Sequence, residues 1–217
     1  MIKKVATLFI PFVLVASEVV ADIDFCSVEG ENLIKDPQFS EQKAGGWLVH
    51  WISTQHAGEP SYERTIDGGE LSVTKVGPQP GYIFKQRLDI SGDHGKKLAF
   101  YAELAFDLHA APATLRLMPP GGGLSLTARS AQNGQGKALM DASLLNEPRL
   151  GKMDWHPVQV VVELPKETRS IEVGFRLEAD GVLKARNPRL QYVDESEKRC
   201  EITAGANMFE VKKSALR

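Results

Sequence analysis

Thiols, one-sided charge and long helical patterns are all scarce in this chain. Cysteine occurs twice in 217 residues, as Cys26 and Cys200. In an oxidising compartment an isolated pair is most simply a disulfide, here closing nearly all of the mature chain into one loop, which chain-entropy reasoning values at about 5 kcal/mol. A metal site is the weaker alternative, because no histidine stands at ligand spacing beside either thiol. The 26 basic and 28 acidic side chains nearly cancel, which argues against nucleic acid and against an anionic membrane surface, both of which need clustered positive charge. No stretch carries a convincing long amphipathic helix. Apart from the first residues, none is long and apolar enough to span a bilayer, which takes about 20 residues, so the mature chain is expected to be soluble.

Catalytic signatures are missing too. There is no Gly-x-Ser-x-Gly elbow and no His-Glu-x-x-His, and Gly134-Gln135-Gly136-Lys137 lacks the first Gly and the Ser/Thr of a phosphate loop. The five histidines, at 50, 56, 94, 109 and 156, fall without metal-ligand spacing.

What is present begins with a leader. Lys3 and Lys4 precede an apolar run from Val5 to Ala16, and Val19-Val20-Ala21 ends the segment before Asp22. This predicts a secretory signal peptide over residues 1–21, cleaved after Ala21. A membrane anchor is the alternative, but the run is short for it. The expected location is therefore outside the cytoplasm, periplasmic or extracellular.

The rest reads as strands. Lys97 to Leu108 places Leu98, Phe100, Ala102, Leu104 and Phe106 on one face and Tyr101, Glu103 and Asp107 on the other. Glu70 to Val76, Thr114 to Met118, Val158 to Leu164 and Ile171 to Leu177 alternate in the same way, with Leu124 to Leu126 a shorter apolar piece. Asp67-Gly68-Gly69 marks a hairpin and Asp180-Gly181 another turn. Asp141 to Leu145 has the length of one helical turn. Roughly nine to eleven strands with polar outer faces predict an all-β, antiparallel two-sheet sandwich. It forms one domain over residues 22–200, followed by a mobile tail at 201–217, and its first and last strands lie side by side.

Certain residues then carry a likeness. Asn32-Leu33-Ile34 followed by Asp36-Pro37, Phe39 and Gly46-Trp47, the central GYIFKQRLDISGDHGKKLAFYAEL, and Asp154-Trp155 before an alternating strand and a Gly-led final strand from Gly181 to Leu190 come in a familiar order. Over Asn32 to Val193 the chain resembles the jelly-roll domains of the galactose-binding-domain-like superfamily, especially carbohydrate-binding modules of bacterial cellulases and xylanases. The resemblance implies a jelly roll that opens with a strand at Asn32-Leu33-Ile34, with Trp47 and Trp155 at core positions, and a structural calcium held by a Glu after the Phe and an Asp in the final strand. Here Ser40 follows Phe39, and Arg186-Asn187 occupies the final-strand position. Calcium favours carboxylate oxygens, so no cofactor is expected, and Arg186 is expected to pair with Glu41 or Asp36 instead.

Fold does not fix function, so the candidate ligand residues come from chemistry. Trp51 and Tyr62, near His50 and His56, offer aromatic faces, although core packing suits Trp51 equally. Tyr101 and Glu103, with Arg116 and Arg176 expected on comparable faces of neighbouring strands, offer a polar cleft if that face is concave, and an ordinary solvated face if it is convex. Paired carboxylates such as Glu103 and Asp107, or Glu172 and Glu178, are the weaker glycosidase reading. The leading expectation is an exported, non-catalytic domain that binds a carbohydrate or envelope glycan. A stand-alone envelope protein with a protein-binding or structural role is the alternative, and a glycoside hydrolase the third reading.

Overall fold

The computed structural model describes residues 25–90, 95–110, 120–143, 150–194 and 207–208. Twelve strands are found among them: β1 (Val28–Glu29), β2 (Trp51–Gln55), β3 (Tyr62–Asp67), β4 (Glu70–Lys75), β5 (Tyr82–Asp89), β6 (Lys97–His109), β7 (Gly122–Arg129), β8 (Ala138–Asp141), β9 (Gly151–Glu163), β10 (Ser170–Leu177), β11 (Asp180–Val193) and β12 (Asn207–Met208). They make two antiparallel sheets. The first runs β3-β4-β11-β6-β9 with β1 added on β11, and the second runs β12-β8-β7-β10-β5-β2. This is the predicted two-sheet jelly-roll sandwich.

Period-two patterning decides which residues face inward. Leu98, Phe100, Ala102, Leu104, Phe106 and Leu108 of β6 join the core, as do Ile171, Val173, Phe175 and Leu177 of β10 and Tyr82, Phe84 and Leu88 of β5. Between the sheets an aromatic cluster forms, with Trp51 stacked flat on Phe84 at 5.0 Å and set edge-on to Phe39 at 5.0 Å. Asp67 pairs with Glu70 across Gly68 and Gly69. Both glycines have positive φ, 54° and 82°, as a two-residue hairpin turn requires. Pro157 lies in β9, an edge strand, where its missing N–H costs no ladder bond.

The structure departs from the expectations at several points. Asn32-Leu33-Ile34 is not a strand. Instead the Asn32 side chain accepts from the backbone N–H of Ile34 and Leu190 and donates to the Pro188 carbonyl, lacing the segment onto an irregularity in β11. The buried Gln86 amide takes over the backbone N–H and C=O of Lys35, at 2.8 and 2.7 Å. Side-chain amides thus replace a ladder there, which alternation cannot reveal. Leu124 to Leu126 is the middle of the longer strand β7. Asp141 closes β8 rather than opening a helical turn, and residues 144–149 lie outside the described residues. Within the tail, Asn207 and Met208 pair with Asp141 and Met140, too short a segment to show any period. β1 pairs with β11, Val28 opposite Val193, so the first strand does adjoin the last long one. The predicted signal segment, the strand expected over Thr114 to Met118 and Cys200 lie outside the described residues.

Candidate functional site

The outward positions of the second sheet form a grid set by register. Arg176 lies beside Ile83, Gly174 beside Lys85, and Glu172 beside Arg87. Across β10, Gly174 faces Ser125 and Ser170 faces Arg129. On a flat or convex sheet such positions would be wet. Here Glu172 is 4% exposed, Ser125 6% and Ser170 0%, because neighbouring side chains and the turn after β7 cover them. Gly174 is buried too, and an added Cβ would run into the Phe84 carbonyl oxygen and Lys85 Cα.

Polar groups gather at both ends of this face. At one end the turn after β7 folds over, with Ser170 donating to the Ala131 carbonyl, Asp89 accepting from the Asn133 N–H, and Gly134 packed on Arg87. Beneath it Glu172 receives Lys85 and Arg87 at 2.8 Å on one oxygen and Arg129 at 3.1 Å on the other. Burial alone would raise the Glu172 carboxyl, but hydrogen bonds from Lys85 and Arg87 and the charges of Lys85 and Arg129 hold it below the usual value. At the other end a cleft of about 180 Å³ is lined by Thr54, His56, Pro80, Ile83, Arg176 and Glu178, among others. Arg176 Nε stands 3.4 Å from Glu178 Oε1 and has no hydrogen-bond acceptor among the described residues. Burial pushes the Glu178 carboxyl up, against the charges of Arg176, Lys75 and His56. The six residue steps of β5 from Ile83 to Asp89 put the two ends roughly 20 Å apart.

The first sheet's outer face carries a separate cluster. Arg186 bonds Glu103 at 2.7 and 2.8 Å, Asn187 donates to the other Glu103 oxygen at 2.8 Å, and the Arg186 guanidinium lies 4.2 Å over the Trp155 ring. The Asn187 hydrogen bond, with the bond and charge of Arg186 and the charge of Arg189, lowers the Glu103 carboxyl against the opposing effect of burial. Tyr101 meets Phe25 edge-on at 5.5 Å, and burial, then Glu103, raises its phenol.

The candidate residues are therefore not brought together. Tyr101 and Glu103 lie on the first sheet and Arg176 on the second. They were expected on neighbouring strands, but β6 has β11 and β9 as neighbours and β10 has β5 and β7. Trp51 is 3% exposed, its faces covered by Phe84 and Phe39 and its Nε1 donating to the Asp36 carbonyl, so it packs the core and offers no stacking face. Tyr62 packs on Tyr82 at 5.1 Å and donates to the Gln79 carbonyl; burial, then Glu178 and Asp180, raises its phenol. Arg116 lies outside the described residues.

Both tryptophans given core positions are displaced. Trp47 is 70% exposed, because Gly45 and Gly46 turn a tight loop in which the Lys43 N–H reaches the Trp47 carbonyl, and Leu48 goes inward instead. Trp155 lies under Arg186 on the outer face. Lys85, Arg87 and Arg129 were missed by sequence reasoning; they stand at outward alternating positions, but only the register that sets them around Glu172 reveals a cluster.

The opening loop does not fit a calcium ion. Asp36 already accepts from the Ser40 N–H and hydroxyl and the Glu41 N–H, at 2.8 to 2.9 Å, and Glu41 meets His50 at 3.2 Å. Arg186 pairs with Glu103, not with Glu41 or Asp36. Among the described residues no group of three or more His, Cys, Asp or Glu side chains is placed to hold a metal, and no helix is long and apolar enough to cross a membrane.

No family model and no curated protein sequence matches the chain. Among solved structures, the enzymatically active domain of bacteriophage CBA120 tailspike protein 4 is similar, with a TM-score of 0.51 and 12% identity over 75% of this chain and 21% of that one. This chain thus spans about a fifth of that domain's length. A CBM4 structure gives a TM-score of 0.48 with 12% identity over 73% of this chain and 99% of that one. The CBM22-1 xylan-binding domain from Paenibacillus barcinonensis gives 0.47 with 12% identity over 77% and 98%. At these identities the likeness is one of fold alone, that of a two-sheet antiparallel β-sandwich.

Proposed function

We propose that this is an exported, non-catalytic carbohydrate-binding domain and that the glycan lies in the cleft at one end of the outer face of the second sheet. The observation that carries the reading is that cleft of about 180 Å³, lined by Thr54, His56, Ile83, Arg176 and Glu178 among others. Convergent polar groups in a concave site are the usual means of orienting a ligand.

Both oxygens of Glu172 are taken by cations, and Glu172 and Glu178 lie at opposite ends of the face, roughly 20 Å apart, where a hydrolytic pair needs about 5–10 Å. Glu103 is committed to Arg186 and Asn187 in the same way. The leader at residues 1–21 supports export. A Cys26–Cys200 bridge belongs to the same proposal: thiol titration of the unfolded, unreduced chain is expected to find none free.

Affinity electrophoresis against soluble polysaccharides tests the reading. Retardation by at least one polysaccharide is expected, and it should be abolished by Thr54→Trp, which fills the cleft from an exposed position without removing a charge. Absence of retardation across a broad panel would overturn the reading, as would retardation untouched by Thr54→Trp with the fold intact by circular dichroism.

A further inference from the structure

The cleft at the end of the second sheet is a dead end. Along the strands, the next outward positions after Ile83 and Arg176 are Lys85 and Gly174. Lys85 is tied to Glu172 at 2.8 Å and Gly174 is buried, so nothing passes that way. On the opposite side the loop after β2 closes against the turn before β5. There the His56 N–H donates to the Gly81 carbonyl at 3.2 Å, and the His56 ring meets the Gln79 amide at 3.3 Å. Gly123, paired with Arg176 from β7, is buried as well. The remaining side is that of β2, the last strand of the sheet, where Thr54 is exposed.

Two groups lining the cleft have unfilled hydrogen bonding. The Nε of Arg176 is buried and has no acceptor among the described residues. The Glu178 side chain is 10% exposed and stands 3.4 Å from that Nε. Its carboxylate lies against Gly81, where an added Cβ would come 2.9 Å from one oxygen and 3.1 Å from the other. Buried polar groups left this way are costly, and a ligand that both accepts and donates relieves the two together. Ile83 and Pro80 add apolar surface beside them. A sugar ring matches that pattern: adjacent hydroxyls accept from the Arg176 guanidinium and donate to Glu178, while a C–H edge packs on Ile83. At about 180 Å³ the cleft is smaller than the roughly 300–1,000 Å³ of pockets that enclose drug-sized ligands, so it has room for one ring and not for a run of them.

Building on the glycan reading of this cleft, we infer that it takes a single sugar residue at the tip of a chain or side branch, which enters over Thr54 while the rest of the glycan stays in solvent. An internal residue needs an exit on two sides, and the closed flanks leave one.

Affinity electrophoresis with branch-rich galactomannan, arabinoxylan and xyloglucan beside unbranched mixed-linkage β-glucan and pullulan tests this directly. Retardation by at least one branched polymer and by neither unbranched one is expected, because side branches supply many tips. The free sugar that forms those tips (galactose, arabinose or xylose) should release the protein at concentrations on the order of millimolar, the range open to so small a ligand. Glu178→Gln, which keeps the shape of the cleft, should weaken retardation about tenfold, the size of one charge-assisted hydrogen bond. Retardation by unbranched polymers as strong as by branched ones would overturn the single-residue assignment and leave the glycan-binding reading standing. Branched-only retardation that the tip sugar does not release would do the same. Retardation by none of these polymers would overturn both. Branched-only retardation insensitive to both Glu178→Gln and Thr54→Trp would overturn the assignment as well, since the sugar would then sit elsewhere on the surface.

Discussion

The two sheets each carry a carboxylate held by basic groups on the outward side, and they hold it under different conditions. Glu103 on the first sheet has one guanidinium, one amide and a tryptophan beneath the cation, with its side chain 23% exposed and that of Arg186 38% exposed. Water reaches this cluster, and the charge of Arg189 also acts on Glu103. Glu172 on the second sheet is nearly dry, meets three cations and receives no aromatic support. A dry cluster is more costly to break than a wet one, because the partners left behind lose their pairing without regaining water.

The largest test of that difference is removal of each acid. Glu172→Ala leaves three cations converging on nothing and should cost about 3–5 kcal/mol in urea unfolding, as for a broken buried pair. Glu103→Ala should cost about 1 kcal/mol or less, as for an exposed one. Equal losses would erase the distinction between the faces.

Acid unfolding sharpens it next. Both carboxyls are held below the ordinary glutamate value of 4.5 in the folded protein. Each therefore contributes stability that is present above that value and lost as pH falls through the lowered one. Glu172→Gln should flatten this acid limb more than Glu103→Gln, as read by urea midpoints between about pH 2 and pH 6. Glu178 runs the other way. Its carboxyl is raised, so the folded state is favoured below 4.5 and loses ground as pH rises through the raised value; Glu178→Gln should remove that loss.

How much of this was legible depends on the physical scale of each feature. Alternation along β6 and β10 is a local property and foretold both the core and the two-sheet class. Gly68-Gly69 foretold its hairpin because positive φ at two consecutive residues has few other solutions. Which outward residues meet is a matter of strand order, and nothing local in IEVGFRL says that β10 lies between β5 and β7, far from Tyr101. The fate of the tryptophans turned on neighbours: Gly45-Gly46 turns Trp47 out, and Trp51, four residues on, takes the core beside Phe39. Asn32 and Gln86 act through side-chain amides in place of a ladder, which carries no periodic signature at all.

The smallest effect separates bracing from binding most directly. Arg186 is fixed from two sides, by Glu103 in its plane and by Trp155 at 4.2 Å below it, whereas among the described residues no ring stacks on Arg87 or Arg129. Trp155→Leu should cost about 0.5–1 kcal/mol, the size of an exposed cation–π contact. In a double-mutant cycle with Glu103→Gln the losses should fall short of additivity by about 0.5 kcal/mol, because both partners act through the same guanidinium. If the braced face is structural and the second sheet takes the ligand, Trp155→Leu leaves glycan retardation unchanged while Thr54→Trp, with the fold intact, does not. A loss of retardation in Trp155→Leu would move the site to the first sheet.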